Sequence, residues 1–146
     1  MSTAALPSTT TFARAVEETR SRLEDGIDEA SSWVERVRAG ALDPDQCAIC
    51  ERSDGPFEQH HVAGRLNSDL TISACLRCHA RLSERQNGWD PRWQAEGNSS
   101  EFKEAFLLRG LSDLCEERAR HFGPAYHELG KRLRAIYAKR ARGTVP

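Results

Sequence analysis

The sequence predicts an α+β protein, mostly α by residue count, with a small ββα core flanked by long N-terminal and C-terminal α-helices. Two observations predict it. Apolar residues recur at three- and four-residue steps from Thr11 to Gly40 and again beyond Ser100, the signature of amphipathic helices. Between these stretches the chain changes character, to short segments with paired cysteines and histidines. The expected organisation is a disordered Ser/Thr-rich lead over 1–10, a helical arm over 11–42, the compact core over 43–97, and helices with a basic tail over 98–146.

In the arm, Phe12, Val16, Leu23, Ile27, Ala30, Val34 and Val37 form a narrow seam, missed at Thr19 and Arg20. Such a seam serves either its own domain or a dimer partner. Gly26 costs about 1 kcal/mol relative to Ala inside a helix and marks where a break would fall; Gly40 is the expected stop. Asp43-Pro44-Asp45 is a turn. Phe57 to Val62 and Leu70 to Cys75 read as two short strands joined by the loop AGRLNSD, and His79 to Gln86 as a short helix. Asn87-Gly88 and Asp90-Pro91 mark a loop. A serine at 99 or 100 caps the next helix, which carries Phe102, Phe106, Leu107, Leu111 and Leu114. Gly123-Pro124 interrupts it, and a last helix carries Leu129, Leu133, Ile136 and Tyr137 on one face. Trp33, Trp89 and Trp93 read as packing residues, the latter two closing a helix against the core.

A net charge of −1 gives no overall pull towards nucleic acid or membrane, but its distribution is uneven. After Glu128 come Lys131, Arg132, Arg134, Lys139, Arg140 and Arg142 with no acid among them. No apolar run approaches the roughly 18 residues of a membrane span, and MSTAALPSTTTF has neither the basic nor the apolar region of a signal peptide. A cytoplasmic, intracellular chain is expected, in which paired cysteines bind metal more often than they form disulfides.

Four of the five cysteines form two C-x-x-C pairs, Cys47/Cys50 and Cys75/Cys78; Cys115 stands apart in a helical pattern and reads as a buried apolar side chain. In each pair, two intervening residues let both thiolates point at one ion. Four such ligands make the closed tetrahedral set of structural zinc. The 24 residues between the pairs exceed the usual spacing of about 15 to 20, so an insert lies between the knuckles. Iron–sulfur sites cluster their cysteines differently. The segment CLRCH, residues 75–79, also spells a c-type haem attachment site, but haem would leave Cys47 and Cys50 without a role, and the only methionine is Met1.

The insert carries adjacent histidines, His60 and His61, which on a strand point to opposite sides. His79 directly follows the second knuckle. Two histidines approaching from a strand and a helix can hold one divalent cation and leave positions open for water and phosphate, while a third, near neutral pKa, can deprotonate a water.

The order C-x-x-C, His-His, C-x-x-C-His resembles the zinc-bearing HNH endonuclease family, whose fold is the ββα-metal finger. HHVAGR followed by TISACLRCHARLSERQ is similar to small HNH proteins of phages and prokaryotes, over residues 47–86. The resemblance implies DNA phosphodiester hydrolysis, with DNA as partner; the flanking helices lie outside it, and their apolar seam suits a homodimer or larger complex. It implies that His60 and His79 hold a catalytic Mg²⁺ or another divalent cation, that His61 is the general base, and that Cys47, Cys50, Cys75 and Cys78 hold a structural Zn²⁺. In one place the chain departs from the family. The middle residue, usually Asn, orients the base from the start of the second strand; here Leu70 stands at that distance, with Asn67, Asp69 and Thr71 nearby as alternatives. Arg65, Arg77, Arg81 and Arg85 cluster around the implied site and read either as a solvated face or as phosphate contacts. The alternative to a nuclease is a zinc-stabilised, HNH-like DNA- or protein-binding module without efficient catalysis.

Overall fold

A computed structural model describes residues 9–143; of the lead expected over 1–10, residues 1–8 lie outside the described residues, while Thr9 and Thr10 already belong to the first helix. The order is α1 (Thr9–Arg38), β1 (Phe57–His61), β2 (Thr71–Cys75), α2 (Leu76–Asn87), α3 (Ser100–Phe122) and α4 (Pro124–Gly143), with a short 3-10 turn at Pro91–Gln94. This is an α+β, mostly helical molecule with one two-stranded antiparallel sheet.

Helix α1 runs unbroken through Gly26. Its reason for glycine is proximity: a Cβ there would lie 2.7 Å from the Cβ of Ala125, where α4 begins across it. C-terminal to this crossing, Ile27, Ala30, Trp33, Val34 and Val37 are buried; N-terminal to it, residues 9–25 are exposed throughout. The helix stops where expected, with Gly40 at φ 65° and the Ala41 N–H bonded back to the Arg36 carbonyl.

The strands pair with His60 opposite Ile72, His61 opposite Thr71 and Phe57 opposite Cys75, each strand one residue shorter than the sequence pattern predicts. Helix α2 starts at Leu76, three residues before the expected His79, because Cys75 ends the strand and flanks the helix with extended backbone (φ −65°, ψ 162°), with no loop between. The helix folds back along the hairpin, so that residue 79 meets residues 58 and 60, and residue 86 meets residue 61.

Helix α3 is capped by the Ser99 hydroxyl, which accepts from the Phe102 N–H, and turns at Gly123 into α4. One core joins the hairpin unit to the helices: Cys47, Ile49, Val62, Ile72, Cys78 and Leu82 pack with Trp33, Val37, Leu111, Leu114 and Tyr126. Contact is closest at Gly110, where a Cβ would lie 1.8 Å from the Val62 carbonyl oxygen, so only glycine lets α3 approach the chain leaving β1. A second cluster of Ala63, Trp89, Phe102 and Phe106 seals the other side of that loop. There Trp89 stacks on Phe106, centroids 5.9 Å apart, and donates its indole N–H to the buried Asp113 carboxylate at 2.7 Å. Among the described residues no helix is long and apolar enough to cross a membrane.

Candidate functional site

The hairpin unit is polarised. Its open end carries sulfur and its loop end carries imidazole. At the open end Cys47, Cys50, Cys75 and Cys78 bring their Sγ atoms within 4.8 Å of one another, and all four are free thiols. The first pair sits on a tight turn. The Cys47 carbonyl accepts from the Glu51 N–H, Glu51 adopts a left-handed φ of 64°, and the Ala48 N–H bonds to the Ser73 carbonyl of β2. The second pair lies at the N-terminus of α2, where unpaired amides and the helix dipole favour thiolate. Cys50 Sγ and Cys75 Sγ are 3.9 Å apart, close to the edge of about 3.8 Å in a tetrahedron of Zn–S bonds of about 2.3 Å. Burial pushes the Cys75 thiol up, but the backbone and thiol hydrogen bonds it accepts outweigh burial and leave it at about 7. Burial and neighbouring thiols push Cys78 and Cys50 up. The quartet can hold a zinc ion. Cys115 is fully buried in α3, its thiol raised to about 12 by burial, as an apolar residue.

The sulfur end is anchored by a residue the sequence pattern did not single out. Arg118 of α3, itself buried, donates to the Ala48 carbonyl and the Glu51 carboxylate, both at 2.8 Å. Its guanidinium lies over the rings of Trp33, Phe122 and Tyr126, at 4.5, 4.2 and 5.0 Å. Its alignment with Trp33 and Tyr126 is visible only once three helices are assembled.

At the loop end, His60, His61 and His79 line one cavity of about 520 Å³ with Gln59, Arg65, Leu66, Gln86, Trp93 and Gln94. His60 is buried at 4% exposure. Its ring stands edge-on to that of His79, centroids 5.5 Å apart. Burial, with the neighbouring His79 and His61 charges, lowers His60 to about 4, so its imidazole is neutral. His79 Nδ1 is in close contact with a Glu58 carboxylate oxygen. Glu58 shares a sheet face with His60 because strand side chains alternate. A carboxylate on Nδ1 fixes the tautomer and leaves Nε2 for another partner. Among the described residues, Cys47, Cys50, Cys75 and Cys78 are the metal-ligating side chains that bring three or more ligand atoms within 4.8 Å of one another.

The remaining predicted residues separate. The Asn67 amide is spent on the loop, donating to the Ala63 and Trp93 carbonyls at 2.8 and 2.9 Å while its oxygen accepts from Asn98. Asp69 is exposed and lines a different cavity, beside Gly40 and Leu42. Neither meets His61. Arg65 lies at the histidine cavity, Arg77 is exposed on α2 and Arg81 half-buried, but Arg85 is committed to the buried Glu117 at 3.0 Å. In the basic tail, Lys131 and Arg132 pair with Glu128, Arg134 with Asp113 and Arg140 with Glu104. The sequence reading missed Glu58 and Gln86; the only local signal for them is spacing, Glu58 standing two residues before His60 and Gln86 two helical turns after His79. Comparison of the chain with protein-family models, curated proteins and solved structures finds no match.

Proposed function

We propose that the chain is a metal-dependent endonuclease of the HNH kind that hydrolyses DNA phosphodiester bonds. One observation carries the reading: His60, His61 and His79 converge on a single cavity, on the same hairpin-and-helix unit that holds a closed four-cysteine site at its other end. In this reading the cysteines hold a structural zinc, and His60 and His79 hold Mg²⁺ or another divalent cation. That cation would supply charge neutralisation for the scissile phosphate. His61 takes the proton of the attacking water. Arg65, at the cavity, and Arg77, on the exposed face of α2, meet the flanking phosphates. The products carry a 5′-phosphate and a 3′-hydroxyl.

A zinc-stabilised binding module without efficient turnover is the second reading, and one observation favours it: among the described residues the His61 ring makes no hydrogen bond. Supercoiled plasmid incubated with zinc-loaded protein and Mg²⁺ or Mn²⁺ separates the two. The nuclease reading expects nicking that falls roughly 10²- to 10⁴-fold in His61→Ala. Equal nicking by both proteins removes His61 as the base, and no nicking with either metal favours the binding module.

A further inference from the structure

We propose that Gln86 is the positioning residue of His61: from helix α2 it holds the backbone carbonyl of that histidine and so fixes where its ring stands in the cavity. The catalytic consequence rests on the nuclease reading above; the positioning itself does not.

Gln86 is 9% exposed, on the α2 face that carries His79 and the buried Leu82. Its side-chain amide donates to the His61 carbonyl at 3.0 Å. His61 is the last residue of β1, where the ladder ends and the chain turns into the loop. A ring on such a residue inherits its direction from a peptide plane at the last rung of the ladder. Three bonds hold it here. The Val62 N–H bonds to the Leu70 carbonyl at 3.1 Å, the Gly64 N–H bonds to the His61 carbonyl at 3.2 Å, and Gln86 takes the second lone pair of that same oxygen.

The Gln86 bond is not needed merely to satisfy the carbonyl, because Gly64 already does so. Burying a long amide costs side-chain entropy and desolvation, and an apolar residue would fill the same helix position beside Leu82. What the amide adds is a rigid tie between α2, which carries His79, and the strand end, which carries His61. The two histidines are thereby held at fixed separation across the cavity they share with Gln86. Of the residues expected to orient His61, Asn67 is engaged with Ala63, Trp93 and Asn98, Asp69 faces another cavity, and Thr71 stands opposite His61 on β2 as its strand partner. The tie comes from the helix.

The test is Gln86→Met, which keeps length and burial but donates nothing, with Gln86→Leu as a second apolar variant. Each is measured for plasmid nicking and melting temperature. Histidine-ring NMR signals are recorded at one pH, with His61 assigned through His61→Ala. Expected are a kcat lowered roughly 10- to 100-fold with KM unchanged, as for a misplaced reacting group, and a His61 ring signal that shifts or broadens while those of His60 and His79 stay. Wild-type kcat with an unmoved His61 signal overturns the proposal. So does a raised KM at unchanged kcat, which would make Gln86 a substrate contact. Disturbance of all three histidines together with a large loss of melting temperature also overturns it, as a merely structural role. If the wild-type protein nicks nothing, the nuclease reading fails by itself, and the His61 signal in the variants alone decides the role of Gln86.

Discussion

His79 meets the cavity with one ring nitrogen already engaged by Glu58, and this pairing has a measurable consequence. Glu58→Gln keeps the shape but removes the carboxylate that fixes the tautomer and orientation of the imidazole. Divalent-cation affinity of the zinc-loaded protein is expected to fall roughly 10- to 100-fold, by Mn²⁺ titration, with zinc content unchanged. At the other end of the hairpin the sign of the pH effect follows from the sulfurs. A cation takes the place of protons, and Cys75 takes up its proton as pH falls through about 7. Zinc affinity in competition with a chelator should therefore be weaker at pH 6 than at pH 8; equal affinities would contradict a thiolate site. The ligand-type residues were legible in the sequence because their pattern is local, with two residues between cysteines and none between His60 and His61. Gln86, Glu58 and Arg118 were not, because their partners lie 25, 21 and 70 residues away and meet only when α2 and α3 dock.

Among elements, the decisive fit is that of α3 on the hairpin unit. A methyl group at Gly110 would collide with backbone, which cannot rotate away as a side chain can. Gly110→Ala is expected to destabilise by roughly 2–4 kcal/mol despite better helix propensity, lowering the melting temperature by about 10 °C. An unchanged melting temperature would mean that α3 does not sit this close. The helices themselves were predictable from apolar spacing and from Ser99, Gly40 and Gly123. The length of α2 was not. The helix begins directly out of β2 at a cysteine, and no turn signal in the sequence marks that junction. Gly26 was legible as a weak point of α1, yet it is where α4 crosses, which no periodicity within α1 can reveal.

For the whole molecule, the buried cluster that includes Cys47, Cys75 and Cys78 also includes Trp33, Val37, Leu111, Leu114 and Tyr126. The arm, hairpin unit and C-terminal helices read from the sequence thus share one core. Zinc removal is expected to lower the melting temperature of the entire chain in a single transition, by calorimetry, rather than to melt the hairpin alone; two separated transitions would contradict a shared core. Phe12, Val16 and Leu23 remain exposed on α1 beyond that core. In the nuclease reading one hairpin-and-helix unit carries two metal sites of different chemistry, sulfur at one end and imidazole at the other. Metal stoichiometry of wild type, His61→Ala and the double variant His60→Ala/His79→Ala tests it most directly, by elemental analysis for zinc and by Mn²⁺ titration. Expected are about one zinc per chain in all three, one Mn²⁺ in wild type and His61→Ala, and no Mn²⁺ in the double variant. Undiminished Mn²⁺ binding in the double variant, or a zinc content that falls with the histidines, would contradict it.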